Sequence, residues 1–247
     1  KQSLRIVTEL EQRYPDFRGL NLSWEVLEGI VKHETEYDKT DARDFNPDLR
    51  GHIEAQIANV ADELAYTAHD LDDGLRSGMI TQDMLEEIEI WQVMKSSIGW
   101  QGDGLDDLTR HRIIRRLIGK EVDDLVETTS RNLKESGVQS VEDLQRLDHN
   151  VVTFSETFHR RNRQLKDFLY KNLYRHYRVV RMAVKAERLI SELFNAYCQE
   201  PTILPHHVQQ RVDKFGLQRT VCDYIAGMTD RYATEEYRKL FNAETLP

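Results

Sequence analysis

The chain has 247 residues, 39% of them hydrophobic, and this length suffices for a sizeable core in one large domain or two small ones. Its net charge of −9 argues against a general polyanion binder, and its two cysteines argue against a disulfide framework or a cysteine-based zinc site. No apolar run approaches the roughly 18 residues of a membrane span, so we expect a cytoplasmic protein with no membrane contact.

The spacing of apolar residues, together with only 12 Gly and 5 Pro, predicts an all-α chain. The first two predicted helices cover residues 4–10 and 24–31, and Ser23 is expected to cap the second. A polar loop over residues 33–49 is expected to precede a long helix over residues 53–75.

A further helix is predicted to begin at Thr81 and to end before a break at residues 99–104. Its expected buried side consists of Met84, Leu85, Ile88 and Trp91. The next helix is long and charged, stops at residues 136–137, and is expected to be buried through Leu108, Ile113, Ile114, Leu117, Ile118, Val122, Leu125 and Val126. The remaining predicted helices cover residues 141–147, 155–173, 178–197, 206–211, 217–229 and 234–241. The sequence contains no internal repeat, and we expect a single domain over residues 1–247.

Charge is distributed unevenly along the chain. Residues 62–73 contain five acidic residues and no Lys or Arg, whereas residues 159–188 contain ten Lys or Arg and only two acidic residues. This contrast predicts a cation site in the first segment and an anion site in the second.

Asp62, Tyr66 and Asp70 follow one another at intervals of four residues, so on a helix they share one face. A carboxylate is a hard oxygen ligand for a divalent cation, and a second carboxylate beside a phenol can hold a sugar hydroxyl by accepting and donating hydrogen bonds. The pattern therefore predicts a metal ion and a hydroxyl side by side. The same spacing equally suits a solvated acidic helix face.

The basic stretch supplies the complementary chemistry, because a triphosphate needs several positive donors and a Tyr ring can lie against a sugar or base. Its candidate residues are Lys166, Tyr170, Tyr174 and His176. A solvated basic helix is the alternative interpretation of this stretch.

Residues 58–73 closely resemble the fourth metal-ligand helix of the dGTP triphosphohydrolases, within the HD phosphohydrolase superfamily. The resemblance continues through residues 2–7, 19–26, 29–33, 168–176 and 223–232. It implies an all-α, HD-domain-type helical bundle with additional C-terminal helices. Residues 1–80 would be the end of the HD core and residues 81–247 the C-terminal helical region.

By the same resemblance, Asp62 is the last carboxylate ligand of a divalent metal ion, Mg2+ or Mn2+, while Tyr66 and Asp70 contact the deoxyribose 3′-hydroxyl. Lys166 resembles a phosphate-binding position. Lys32 ends a helix that lies close to the substrate phosphates in the family, although a terminal Lys can also simply complement the helix dipole.

Three candidates lie further along the chain. Tyr174 resembles a sugar- or base-contacting residue, and His176 an effector or phosphate contact. Arg231 matches a late family motif, in which it either reaches a phosphate or pairs with the adjacent Asp230.

The family's defining His, its metal-holding His-Asp pair and its catalytic His and Glu precede Lys1, so the resemblance implies that this stretch alone is inactive. His69 and Asp70 also form a His-Asp dipeptide, but they are not the metal-holding pair of the family. We expect His69 to be an ordinary helix histidine that faces solvent or a neighbouring side chain.

The resemblance implies that the intact protein hydrolyses dGTP or another dNTP to the deoxynucleoside and inorganic triphosphate with a metal-activated water. It also implies a homo-oligomer, often a hexamer, that responds to a dNTP effector. Two alternatives stay open. One is a non-catalytic, nucleotide-responsive oligomerisation module. The other is single-stranded nucleic-acid binding through residues 159–188, where aromatic side chains interleave with cations.

Overall fold

The computed structural model describes residues 2–33, 44–102 and 104–245. Within these ranges the chain is helical, and its β-type pairing is limited to an isolated bridge between Gln12 and Gly19, so the all-α prediction is confirmed. The chain divides into two compact units, residues 1–173 and 174–247. The single domain and its division at residue 80 stay predictions.

The first unit contains seven of the α-helices that the structure describes. They are α1 (Gln2–Arg5), α2 (Trp24–Val31), α3 (Ile53–Arg76), α4 (Glu89–Ile98), α5 (Asp107–Ser136), α6 (Val141–Gln145) and α7 (Glu156–Leu169). A π-helical segment over Ile6–Leu10 continues α1, a 3-10 turn over Asp83–Leu85 precedes α4, and a π-helical segment over Tyr170–Tyr174 follows α7. None of the described helices is both long and apolar enough to cross a bilayer.

Helix α3 is the central element of the first unit. It begins where the His52 side chain accepts a hydrogen bond from the Ala55 backbone N–H at 3.3 Å, which satisfies one of the free donors of the first turn. Its apolar face, including Leu64, Ala68 and Leu71, is buried, and α3 packs against α2, α5 and α7. Burial of that face leaves the opposite face, with its acidic residues, toward solvent.

The start of α7 is tied directly to α5. Ser155 caps α7 by accepting a hydrogen bond from the Phe158 backbone N–H at 3.3 Å. Its own backbone N–H and its hydroxyl donate to the Asp124 carboxylate, at 2.8 and 2.7 Å. The orientation of α7 is therefore set by α5 as well as by its packing against α3 and α4.

The second unit has a separate core. Its helices are α8 (Tyr177–Gln199), α9 (His206–Gln209), α10 (Val212–Phe215), α11 (Leu217–Ala226) and α12 (Asp230–Phe241). The buried side chains of this core are Leu193, Tyr197, Leu204, Val208 and Val221. The Tyr197 hydroxyl donates to Glu236 at 3.0 Å and so links α8 to α12.

The structure corrects the prediction for the segment after Thr81. Thr81 does not begin a continuous helix: the 3-10 turn at Asp83–Leu85 intervenes, and α4 begins only at Glu89. Leu85, Ile88 and Trp91 are buried as predicted, but Met84 is exposed. Met84 lies in that turn and not in α4, so the helical period of α4 does not set the direction of its side chain.

A second correction concerns the buried stripe of α5. Leu108, Val122 and Val126 are exposed, whereas the buried side of the helix is Arg110, Ile113, Ile114, Leu117, Glu121 and Thr128. The helices that face α5 cover this row of side chains. The polar residues Glu121 and Thr128 are therefore buried, whereas Val122 and Val126, one or two positions away, are exposed. The predicted loop over residues 33–49 and the predicted break over residues 99–104 lie partly outside the described residues.

Candidate functional site

Asp62, Tyr66 and Asp70 lie on the solvent-facing side of α3, and we call this row the acidic face. The Asp62 side chain is partly exposed, Tyr66 is 62% exposed, and Asp70 is half-buried. Because α3 is an uninterrupted helix over these positions, the three side chains stack one turn apart. His69, between them in sequence, is exposed, as expected for a helix histidine.

A histidine accompanies Asp62. His33, just after the end of α2, places its Nε2 3.7 Å from Asp62 Oδ2, and its Nδ1 hydrogen-bonds to Asn59 Oδ1 one turn earlier on α3. The family resemblance implied that the end of α2 lies near the substrate phosphates. It did not predict the contact between His33 and Asp62. The two residues are 29 positions apart, so only the packing of α2 against α3 brings them together.

Lys32, in contrast, points into a buried polar network. Its Nζ lies 2.7 Å from Glu28 Oε1, and both side chains are largely buried, at 8% and 2% exposed. The Lys32 ammonium also donates to the Arg50 carbonyl at 3.4 Å, and Gln145 Nε2 donates to the second Glu28 oxygen at 3.1 Å. The contacts of this lysine are thus those of a structural ion pair, and its predicted phosphate contact stays a prediction.

Lys166 on α7 lies beside the acidic face. Its ammonium forms an ion pair with Glu63 of α3, the residue that follows Asp62. The Lys166 side chain is about one-quarter exposed, so it combines access to solvent with a position fixed by a neighbouring helix. The structure therefore joins the predicted cation site and the start of the predicted anion site through residues 103 positions apart.

Tyr174, His176 and Arg231 belong to the second unit. Tyr174 ends the π-helical segment and is about half exposed. His176 caps α8 by accepting from the Arg178 backbone N–H at 3.3 Å, and its ring lies 4.8 Å from that of Tyr177. Arg231 is exposed on α12 and pairs with Glu235 at 2.9 Å, a different partner from the Asp230 considered from sequence.

The donors of the acidic face permit a partial test of the predicted metal. Asp62 offers one carboxylate, and no group of three or more His, Cys, Asp or Glu side chains suited to a metal ion occurs in the part of the chain that the structure describes. Divalent cations need several oxygen or imidazole ligands. The described residues thus do not complete a metal site by themselves.

Comparisons with known proteins agree with the sequence resemblance. Residues 152–239 match the model of the phosphohydrolase-associated domain family. A deoxyguanosinetriphosphate triphosphohydrolase-like protein of Geobacter sulfurreducens is 49% identical over 97% of this chain and 63% of its own length. A protein of the same name from Caulobacter sp. is 41% identical over 98% of this chain and 66% of its own length, and one from Brucella anthropi is 42% identical over 98% and 65%.

The chain thus spans slightly less than two thirds of the length of these curated relatives. The identity is spread over nearly all of the present sequence, so it covers α3 and α7 as well as the second unit. Over nearly all of its length the chain is thus similar to deoxyguanosinetriphosphate triphosphohydrolase-like proteins, and its residues 152–239 match the phosphohydrolase-associated domain family.

Proposed function

We propose that the protein hydrolyses a deoxynucleoside triphosphate, with dGTP the first candidate, to the deoxynucleoside and inorganic triphosphate. One observation carries this proposal: the acidic face of α3 is a continuous row, and Lys166 of α7 is held beside it by Glu63. A row of carboxylate, phenol and carboxylate next to a cation suits a substrate with a sugar hydroxyl at one end and phosphates at the other.

Each residue of the row has a distinct chemical role in this proposal. Asp62 supplies one carboxylate ligand of a divalent cation, Mg2+ or Mn2+, whose further ligands come from outside the described residues. One turn further along α3 the Tyr66 phenol donates a hydrogen bond to the sugar oxygen, and two turns further the Asp70 carboxylate accepts a hydrogen bond from the 3′-hydroxyl. Lys166 offsets charge on the triphosphate.

Substitutions in the full-length protein test these roles. We expect Asp62→Ala to abolish triphosphate release in the presence of Mg2+ or Mn2+, because the metal loses a charged ligand. We expect Asp70→Asn to raise KM for a deoxynucleotide about tenfold with a smaller change in kcat, since it removes a charge-assisted hydrogen bond. Asp123→Asn is the control, because Asp123 is an exposed acid on a different helix, α5.

Normal turnover by the Asp62→Ala protein would refute the assignment of Asp62. Equal effects of Asp70→Asn and Asp123→Asn would refute the 3′-hydroxyl contact. A comparison of dGTP with the other deoxynucleotides and with ribonucleotides in the same assay defines the base and sugar preference.

A homo-oligomer that responds to dNTP effectors is part of the same proposal. Its rival is a non-catalytic, nucleotide-responsive module. Light scattering of the full-length protein with and without dGTP, run beside the turnover assay, separates them: assembly without triphosphate release from any nucleotide would favour the module.

A further inference from the structure

Helix α8 is covered along only half of its length. Its C-terminal half packs into the core of the second unit through the buried side chains of Leu193 and Tyr197. In its first half, residues 177–188, every side chain except that of Val179 is exposed. A helix of about 12 residues without tertiary packing is marginal in water, because most helical stability in proteins comes from the burial of an apolar face. The first half of α8 would therefore be stabilised by a partner.

One apolar stripe runs through both halves of α8. Met182, Ala186, Leu189 and Leu193 follow one another at intervals of four, three and four residues, so they lie on one side of the helix. Leu189 and Leu193 belong to the core of the second unit, whereas Met182 is 62% exposed and Ala186 is also exposed. We call the part that contains Met182 and Ala186 the exposed stripe. An exposed continuation of a core-forming stripe indicates a docking surface.

The exposed stripe has a basic border. Arg178 and Lys185 lie one turn before and one turn after Met182, and both flank the stripe on the same side. Residues 177–188 contain four Lys or Arg and one acidic residue. A partner that covers the stripe must therefore be apolar in the middle and acidic at the edge, because like charges across an interface oppose binding. Another copy of α8 does not offer such an edge.

The outer side of α5 meets both conditions. Val122 and Val126 are 44% and 59% exposed and lie on the side of α5 opposite to the buried Leu117. Residues 122–127 contain three acidic residues and no Lys or Arg, and the exposed Glu127 directly follows Val126. The exposed stripe of α8 and this side of α5 are both open in one chain, so they are available to join two copies.

We propose that the exposed stripe of α8 in one copy of the chain docks on Val122 and Val126 of α5 in a second copy. Arg178 and Lys185 then lie beside the acidic segment over residues 122–127. The inference deepens the proposed homo-oligomer and rests on it. Because the two faces differ, the contact is head-to-tail, and it builds a closed ring where the rotation between copies permits.

Charge reversal on each face tests the pairing in the full-length protein, with the molecular mass measured by light scattering. Lys185→Glu and Glu127→Lys should each raise the dissociation constant of the assembly about a hundredfold, because each brings like charges together across the contact. An equimolar mixture of the two variants should assemble again, since each reversed face meets its complement on the other variant. Arg181→Glu and Glu135→Lys, at exposed positions of the same helices outside both faces, should assemble like the wild type.

Amide hydrogen exchange detects the same contact independently of mass. In the assembled wild type, residues 177–188 should exchange about tenfold more slowly than in the dissociated Lys185→Glu protein, because the first half of α8 frays when its stripe faces water. Slow exchange in the dissociated protein would show that another part of the full-length chain covers the stripe, which contradicts the proposal. If circular dichroism shows that Lys185→Glu does not fold, Arg178→Glu takes its place in both measurements.

The remaining outcomes are also decisive. A monomeric wild type would overturn this inference together with the proposed homo-oligomer. An oligomer that neither reversal weakens would overturn this inference alone, as would dissociation of the single variants that mixing does not reverse. Restored assembly in the mixture, but no hydrolysis of any nucleotide, would sustain this inference while refuting the proposed reaction.

Discussion

At the scale of single residues, Lys32 and Glu28 show how a charge acquires a structural role. The two form a buried ion pair, and Gln145 satisfies the second carboxylate oxygen of Glu28. Removing one partner of such a pair leaves an uncompensated charge, which is far more costly than removing both. The pair therefore takes part in a hydrogen bond that links α2 to α6.

We expect Lys32→Met to lower the free energy of unfolding by about 3 kcal/mol, because Glu28 would stay buried without its counter-ion. The double variant Glu28→Gln, Lys32→Met should recover part of this loss. Urea denaturation, monitored by tryptophan fluorescence, measures the free energy of unfolding of both variants. The control is Lys134→Met, at an exposed position of α5. Unchanged stability together with weakened triphosphate binding would instead assign Lys32 to the substrate phosphates.

At the scale of elements, the end of α3 depends on a glycine. Gly74 is buried, and a Cβ atom there would lie 2.5 Å from Ile80 Cδ1 and 3.1 Å from Ile80 Cγ1. Ile80 folds back over α3 directly after the helix and is fully buried, so it has little room to move. The close approach of Ile80 thus explains a glycine inside the last turns of a helix.

We expect Gly74→Ala to destabilise the protein by about 1–3 kcal/mol, because overpacking against Ile80 outweighs the gain in helix propensity. Adding Ile80→Val removes the nearest carbon atom and should restore part of the stability. Gly119→Ala in α5 is the matched control: nothing lies within 4 Å of its Cβ position, so it should be neutral or stabilising. Equal melting temperatures of the Gly74→Ala and Gly119→Ala proteins would contradict this explanation.

At the scale of the whole molecule, the two units have separate hydrophobic cores. All three tryptophans lie in residues 1–173, and both cysteines lie in residues 174–247. Cys198 packs against the core of the second unit, and its pKa is raised by burial and by Cys222, so its thiol should react slowly while that core is folded.

We therefore expect two midpoints when the chain is unfolded in urea: one from tryptophan fluorescence and another from the reactivity of Cys198 in a Cys222→Ser background. The second core contains fewer buried side chains, so it should unfold at the lower concentration. Coincident midpoints would show one cooperative unit and favour the single domain predicted from the sequence.

Much of the architecture follows from local sequence. Helical spacing of apolar residues predicted α3 to within one residue at its end, and Ser23 and Ser155 cap their helices as a short side-chain acceptor before an apolar run should. The shared face of Asp62, Tyr66 and Asp70 likewise follows from an interval of four residues in a regular helix. These features depend on neighbours in the chain, so the sequence alone determines them.

Only the tertiary structure decided which side chains meet between helices. Lys166 pairs with Glu63, His33 reaches Asp62, and Lys32 turns to Glu28, although the sequence offers each of these basic side chains many acidic partners. On α5, periodicity did not distinguish the row that contains Val122 from the row that contains Glu121, because apolar residues border both. Helices α3 and α4 pack against α5, and Glu121 is buried, since the covering helices, and not the local pattern, determine which face of a helix loses contact with water.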